Sequence, residues 1–453
     1  MDKYTTFSAR CSLVAVGVLM RQLGIWPVVE KWVHIPQKTL KHAPLEKLLD
    51  AFISILSGGQ GICEVNTRVR PDRALQRAFG RERCADQSQV SRTLSRCVEE
   101  NVAQMRQANK MTYQTHSQGY CHNYDQQWQV LDVDTTGMPA GAQGEQVTKG
   151  YFSGRRGGRG RQLGRVWATL YGEVVVDRLY SGKVQLEKSF QQLMEMAEDV
   201  LELEVAKRKR TILRFDASAG TDMHINWSLT RGYEILTKVK NWQRARKLTQ
   251  PIEQWHDDPK VADRQFAWVP EPHGYVRATR QLAVRRKDKD GAWKTRVLVT
   301  SLDDTALFWL SGQPFRKEPR PIDTMCALLY AYDMRGGGVE ISIKDSKQGL
   351  GVTKRNKRSF HGQEMLVLLA QLASNLIAWT RRELACHVPA WQTFGNLRIV
   401  RDLFHIPGLV HIDAEGRIRQ ITLNQAHTYA TKFVAGIAPA LSCSDLLLNL
   451  RQI

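Results

Sequence analysis

The sequence is short of three things, and each shortage excludes a class of protein. No two of its eight cysteines form a C-x-x-C pair, so neither a zinc knuckle nor a thiol-redox motif is signalled. Cys11, Cys63, Cys84, Cys97, Cys121, Cys326, Cys386 and Cys443 are scattered, and reduced, mostly buried thiols are expected. Long apolar runs are also missing. Cys11 to Met20 (CSLVAVGVLM) mimics the apolar part of a signal peptide, but no small-residue cleavage site follows before Trp26. A buried N-terminal helix is expected there. Met365 to Trp379 is interrupted by Gln371, Ser374 and Asn375, too short and too polar for a bilayer span. A soluble protein without a membrane partner is expected. Finally, acid is scarce: 45 Asp and Glu face 65 Lys and Arg, a formal net charge of +20. Such an excess suits nucleic acid, the commonest densely anionic partner, although an acidic membrane surface fits charge alone.

With 453 residues and 42% hydrophobic content there is material for more than one packed core. Residues 1–120 read as helical. His42 to Leu56 repeats apolar residues on one face, Asp72 to Phe79 is a short helix opened by Pro71, and Ser88 is placed to cap a further helix. Arg92 and Arg96 share the polar face of that last helix, which fits either a DNA-binding module or a bundle with solvated arginines. The texture changes at Trp128. Trp128 to Val133 reads as a central strand. A Gly- and Arg-rich connection follows, within which Gly154 to Arg161 (GRRGGRGR) reads as a flexible basic loop. Arg165 to Tyr171 and Glu173 to Tyr180 form a hairpin across Gly172. Gln185 to Arg208 is a long helix, Thr211 to Phe215 a strand, Met223 to Thr230 a helix and Tyr233 to Val239 a strand. From 241 to 322 the pattern is β-rich and basic, with Asp290-Gly291 as a hairpin turn. Helical character returns in 323–385, and 386–453 carries no motif.

Hydrolysing a phosphodiester without an organic cofactor calls for an activated water and a stabilised leaving oxygen. Two divalent ions about 4 Å apart do both, and hard ions of this kind take carboxylate oxygens. The sequence offers such ligands at strand ends. Asp134 follows the Trp128 to Val133 strand, and Asp216 follows the Thr211 to Phe215 strand; carboxylates there sit on the ligand-binding edge of an open sheet. Asp132 points the same way one pleat earlier and is the alternative to Asp134. Taken singly, each is equally well read as a turn-forming aspartate. For a third carboxylate, Glu340, Asp345 and Glu364 are candidates. Glu340 and Lys347 stand seven residues apart, on one face if helical. The run Lys354 to Arg358 (KRNKR) is a solvated loop or a DNA-backbone contact.

The order of elements, with YDMRGGGVEISIKDSK in the third region, resembles the RNase-H-like core of bacterial insertion-sequence transposases with an Asp-Asp-Glu triad. In that family a β-rich insertion separates the second aspartate from the glutamate. A Tyr, Arg, Glu, Lys signature surrounds the glutamate, here matched by Tyr332, Arg335, Glu340 and Lys347. The Arg-to-Glu gap is one residue longer than the pattern, and the three glycines inside it imply a helix break. The N-terminal VRPDRALQRAFG and SQVSRTLSR are similar to the DNA-binding start of such enzymes.

The resemblance implies an α/β fold: an RNase-H-like mixed sheet flanked by helices, with a β-rich insertion and an N-terminal helical DNA-binding domain. It divides the chain into a DNA-binding domain (1–120), a catalytic core in two parts (121–240 and 323–385), an insertion (241–322) and a C-terminal region (386–453). It implies Asp134, Asp216 and Glu340 as catalytic ligands of two Mg²⁺ or Mn²⁺ ions. Tyr332, Arg335, Lys347, Arg92, Arg96 and Trp242 become DNA contacts, Trp242 being alternatively a buried anchor of the insertion. The implied partner is double-stranded DNA, both element ends and target, bound by a homodimer in a bacterial cytoplasm at the nucleoid. A silent DNA-binding derivative and a nuclease without strand transfer are the rival readings. A tyrosine or serine recombinase is disfavoured, because no Arg and His constellation surrounds a nucleophile.

Overall fold

The structure, a computed structural model, describes residues 4–38, 41–152, 157–315, 317–442 and 445–453. Residues 154–156 of the expected basic loop, and Cys443, lie outside the described residues.

Six helices open the chain: α1 (Cys11–Gln22), α2 (Ile25–Trp32), α3 (Pro44–Leu56), α4 (Arg73–Ala78), α5 (Gln87–Ser95) and α6 (Glu99–His116). Local chemistry sets their starts. Pro44 opens α3, and Glu46 accepts the Ala43 N–H at 2.6 Å. The starts of α4 and α5 differ from the sequence expectation, because aspartate carboxylates take the free N–H groups there. Asp72 caps α4 through Leu75 N, and Asp86, not Ser88, caps α5. Among the described residues no single helix is long and apolar enough to cross a membrane; α1 is almost wholly buried in the protein core.

Two sheets follow. The larger contains β2 (Gln129–Pro139), β3 (Thr148–Lys149), β4 (Arg159–Ala168), β5 (Glu173–Ser181), β6 (Thr211–Phe215) and β7 (Glu234–Lys238), then β8 (His256–Asp257), β9 (Arg264–Trp268), β10 (Arg280–Lys287) and β11 (Trp293–Thr300). The smaller joins β1 (Thr5–Ser8) to β12 (Gly408–Ile412), β13 (Ile418–Asn424) and β14 (Leu447–Arg451). Within the larger sheet, β5, β4 and β2 run antiparallel, whereas β2, β6 and β7 run parallel. That order, an antiparallel meander joined at its first strand to two parallel strands, is RNase-H-like. Segment 241–322 does not fold into a sheet of its own. Its β11 pairs with β7, so β11, β10, β9 and β8 continue the core sheet.

Alternation along the strands separates two layers. Leu131, Val133, Leu213, Phe215 and Ile235 pack against α7 (Leu186–Leu201) and α9 (Asp222–Thr230). Val130, Ile212, Leu236, Leu282 and Leu298 pack against α11 (Asp304–Ser311) and α12 (Pro321–Asp333). The long helix expected over Gln185 to Arg208 is divided. It ends at Leu201, Glu202 takes a left-handed conformation (φ 49°), and the short α8 (Val205–Arg208) follows; α10 (Trp242–Thr249) comes after β7.

The N-terminal helices do not close a core by themselves. β1 pairs with β12, and α1 to α6 share one hydrophobic core with α14 (Phe360–His387) and with residues up to Leu441. The expected 1–120 and 386–453 regions are thus one packed unit, because neither covers its own apolar face. The KRNKR run lies between α13 and α14 and is only partly solvated, with Lys354, Asn356 and Arg358 exposed. Arg355 is buried and donates to the Leu350 and Gly59 carbonyls, and Lys357 donates to Ser91 Oγ at 2.7 Å.

Two buried arginine forks tie the sheet to the helices of the Tyr-Arg-Glu-Lys region. Arg214 donates to both oxygens of Asp132 at 2.6 and 2.8 Å and to the Ala331 carbonyl at 3.1 Å, at the end of α12. Arg165 donates to both oxygens of Asp177 at 2.7 and 2.6 Å and to the hydroxyls of Ser342 and Ser346 at 2.8 and 2.9 Å. Those serines lie on α13 (Val339–Gly349). Removing one partner of such a buried pair leaves an uncompensated charge. Asp177→Ala is therefore expected to destabilise the protein by about 3–5 kcal/mol, read by denaturant unfolding.

Candidate active site

Asp134 does not follow its strand but lies inside it, since β2 runs on to Pro139. Parallel pairing with β6 stops at Val133 and Phe215, while antiparallel pairing with β4 continues through Asp134 and Arg165. The sheet therefore forks at Asp134, and Asp216 stands across the fork, one residue after β6 ends. Asp216 Oδ1 accepts from Ser218 N at 2.8 Å and from the Ser218 hydroxyl. Asp132 shares the Asp134 face but is fully buried and engaged by Arg214 and Thr169. Asp132 thus serves the fold as the partner of Arg214, whereas Asp134 lines a cleft.

Glu340 enters from α13, in its first turn. The three glycines do break the helix. Met334–Gly337 is a 3-10 turn between α12 and α13. At Gly338 a Cβ would lie 2.3 Å from Asp132 Oδ2, so only glycine fits. That turn carries Arg335, which is 3% exposed. Its Nη2 lies 3.1 Å from Asp134 Oδ2 and its Nη1 donates to Glu340 Oε1 at 2.9 Å. Its Nε has no hydrogen-bond partner among the described residues. Lys347, one face along from Glu340, donates to Thr136 Oγ1. Together Asp134, Thr136, Glu340, Ile343, Lys344 and Lys347 line a cleft of about 300 Å³.

The electrostatics reflect crowded negative charge. Burial pushes the Asp134 carboxyl up to about 6; Arg335 opposes the shift, while Asp216 and Glu340 add to it. Burial works against the Arg335 cation, yet Asp134, Tyr332, Asp216 and Asp132 outweigh it and raise its pKa. Burial lowers Lys347, against the pull of Asp134. The Tyr332 hydroxyl is raised by burial and by the same carboxylates. Its ring lies 4.6 Å from Lys238 Nζ.

Asp134 thus lies within electrostatic reach of Arg335, Asp216, Glu340 and Lys347, and Tyr332 within reach of Arg335, Asp216, Glu340 and Asp134. Among the described residues, however, no three His, Cys, Asp or Glu side chains close on a common point as around an ion. The Arg335 guanidinium stands between Asp134 and Glu340 instead. Asp345 is excluded as a third carboxylate because it accepts Asn396 N and Leu397 N, and Glu364 because it pairs with Arg106 at 2.7 Å. Arg92 and Arg96 are exposed on and just after α5, beside Lys47 of α3. Trp242 is no buried anchor: it is 62% exposed at the start of α10, beside Lys240 and Arg244 in a separate cleft. The cysteines also differ from expectation, since Cys63, Cys121 and Cys386 are exposed.

Sequence reading missed Arg165, Asp177, Arg214 and Lys238. The available signal was a charged residue inside an otherwise apolar strand, as in TILRF and VVVDRLY, which is tolerated there only when paired.

Against known proteins, the family described as "Transposase DDE domain group 1" matches residues 6–440. No curated protein matches the chain. A solved structure titled "Cryo-EM structure of piggyBac transposase synaptic complex with hairpin DNA" aligns at 12% identity with a TM-score of 0.47, covering 87% of this chain and 79% of that one.

The raised Asp134 pKa has a defined consequence for stability without metal. In the unfolded chain the group titrates near the ordinary carboxylate value of about 4, in the fold near 6. Between those values the folded state holds more protons, so stability falls as pH rises and then levels. Thermal melts in chelator are expected to show that fall in wild type and not in Asp134→Asn.

Proposed function

Because the chain belongs to the DDE-domain transposases of group 1, we propose that it is an insertion-sequence transposase. It cuts phosphodiester bonds at the ends of its element and joins the freed 3′ ends to target DNA. The observation that supports this reading is that Asp134 shares a cleft with Glu340 and Lys347 of one helix, with Asp216 across the fork from it at the end of the adjacent parallel strand. Double-stranded DNA is the partner, two ends implying at least a dimer on DNA, and the nucleoid is the place of action.

Divalent metal fits the residues present. Asp134, Asp216 and Glu340 offer hard oxygens, burial and to a smaller extent Asp216 and Glu340 disfavour an unneutralised charge on Asp134, and Arg335 already occupies a cationic position between Asp134 and Glu340. Two Mg²⁺ or Mn²⁺ ions, when bound, supply positive charge at the attacking and leaving oxygens. Asp134, Asp216 and Glu340 would hold them, and the forks through Arg214 and Arg165 brace the strands and helix that carry those carboxylates. Arg335 and Lys347 present charged donors to phosphate oxygens. Tyr332, backed by Lys238, walls the site. Trp242, exposed among cations, offers a stacking surface for a base. Arg92 and Arg96 contact backbone on the N-terminal unit.

One observation favours the rival reading of a silent DNA-binding protein: Arg335 already pairs with both Asp134 and Glu340, and no three carboxylates close on a common point among the described residues. The same experiment separates the two. Asp134→Ala, Asp216→Ala and Glu340→Ala are each expected to reduce Mg²⁺-dependent end cleavage to background while DNA binding persists, and chelator is expected to do the same to wild type. Cleavage by all three variants at the wild-type rate removes the mechanism. A pre-cut end in a strand-transfer assay distinguishes transposase from simple nuclease.

A further inference from the structure

The strand register carries the active-site face outward onto a line of cations. Asp132 is paired with Arg214, Arg214 with Leu236, and Lys238 with Leu298. On the hairpin, Val284 is paired with Arg296 and Arg286 with Lys294. Paired residues, and residues two apart on one strand, project to the same side of a sheet. Asp134, Asp216, Lys238, Arg296, Lys294 and Arg286 therefore share one face. Nearer the centre α12 covers that face, packing on Leu236, Leu282 and Leu298. α12 ends at Asp333, and beyond it Arg296, Lys294 and Arg286 are exposed.

The reverse side of the hairpin is also basic, but its cations are engaged internally. The Arg285 guanidinium lies 4.1 Å from the Trp255 ring and 4.7 Å from the Trp293 ring. Lys287 lies 5.3 Å from the Trp293 ring and 3.5 Å from Asp263. On the active-site side, Arg286 makes no ion pair among the described residues, and Arg296 donates only to the neighbouring Thr295 carbonyl at 2.9 Å. Lys294 pairs with Asp288 at 3.1 Å while remaining exposed. Arg286 and Arg296 thus stand exposed on the active-site side with no carboxylate partner among the described residues, whereas Arg285 and Lys287 on the reverse side each meet an aromatic ring, and that contrast marks the active-site side as the one facing an external anion.

We propose that Lys238, Arg296, Lys294 and Arg286 form a track for the phosphate backbone of the duplex leading into the carboxylate site. Arg296 and Lys294, two apart on β11, are spaced by roughly 7 Å, about two nucleotide rises, so they reach separate phosphates, while Arg286 stands opposite Lys294 on β10 and widens the track there. This rests on the reading of that site as one that takes DNA, and it adds which surface the flanking duplex follows.

The test is DNA binding by the full-length protein, followed by anisotropy on a random-sequence duplex of about 30 base pairs between about 50 and 200 mM salt. Arg286→Gln with Arg296→Gln is expected to weaken binding at least about tenfold and to reduce the slope of log K against log salt by nearly 2. Lys287→Gln, on the reverse side, is expected to leave both unchanged. Thermal melts establish that all variants are folded, as exposed substitutions permit. Wild-type affinity and slope in the double variant overturn the track, as does an equal loss in Lys287→Gln, which reports bulk charge alone. If those results come with wild-type end cleavage, only the track fails. If wild-type protein neither binds nor cleaves DNA, the parent reading fails and takes the track with it.

Discussion

The Asp132 and Arg214 pair lies on the floor of the site, and much of the geometry above depends on it. Both groups are buried, Asp132 fully and Arg214 to within 1%. A lone carboxylate or guanidinium there would be costly to hold away from water. Paired bidentately they are neutral, and the remaining Arg214 donor reaches the Ala331 carbonyl next to Tyr332. The same pattern recurs one strand away, where Asp177 fixes Arg165 and Arg165 fixes the serines between Glu340 and Lys347. Two forks thus convert the rigidity of the sheet into the placement of two helix segments.

Above that floor the charge balance reverses. Asp134 is buried within electrostatic reach of Asp216 and Glu340, and Arg335 provides the compensation by pairing with Asp134 and Glu340. Its turn is bounded by glycines with different roles. Gly338 is required by the close approach of Asp132, whereas a Cβ at Gly336 or Gly337 would meet nothing within 4 Å. The extra residue between Arg335 and Glu340 is accommodated by this turn, leaving α13 free to begin afresh at Val339. The longer spacing is therefore compatible with Arg335 and Glu340 touching.

The rest of the molecule supports this centre from two sides. Strands beyond β7 lengthen the core sheet and project a basic hairpin from the carboxylate face. On the other side the N-terminal helices and the C-terminal sheet form one core with α14. Through Arg355 and Lys357 this unit is tied to the loop that follows α13.

The sequence alone determined what local physics controls. The β6 strand was legible to the residue because TILRF is uniformly apolar apart from one arginine, and the helix break at 336–338 followed from the backbone entropy of three glycines. In the sequence Asp134 and Asp216 read as strand-end carboxylates and Glu340 is marked by the signature spacing, and only Asp216 stands at a strand end, because pairing with β4 carries β2 on past Asp134 to Pro139. Tertiary structure decided what depends on partners distant along the chain. Asp132 and Asp134 are chemically alike in sequence, and only the position of Arg214 makes one an anchor and leaves the other at the fork. By sequence Trp242 is open between a DNA contact and a buried anchor, and it is exposed; of the KRNKR run, open between a solvated loop and a DNA-backbone contact, Arg355 is buried. Burial and ion pairing are set by which surfaces meet, and that information is not local to any segment.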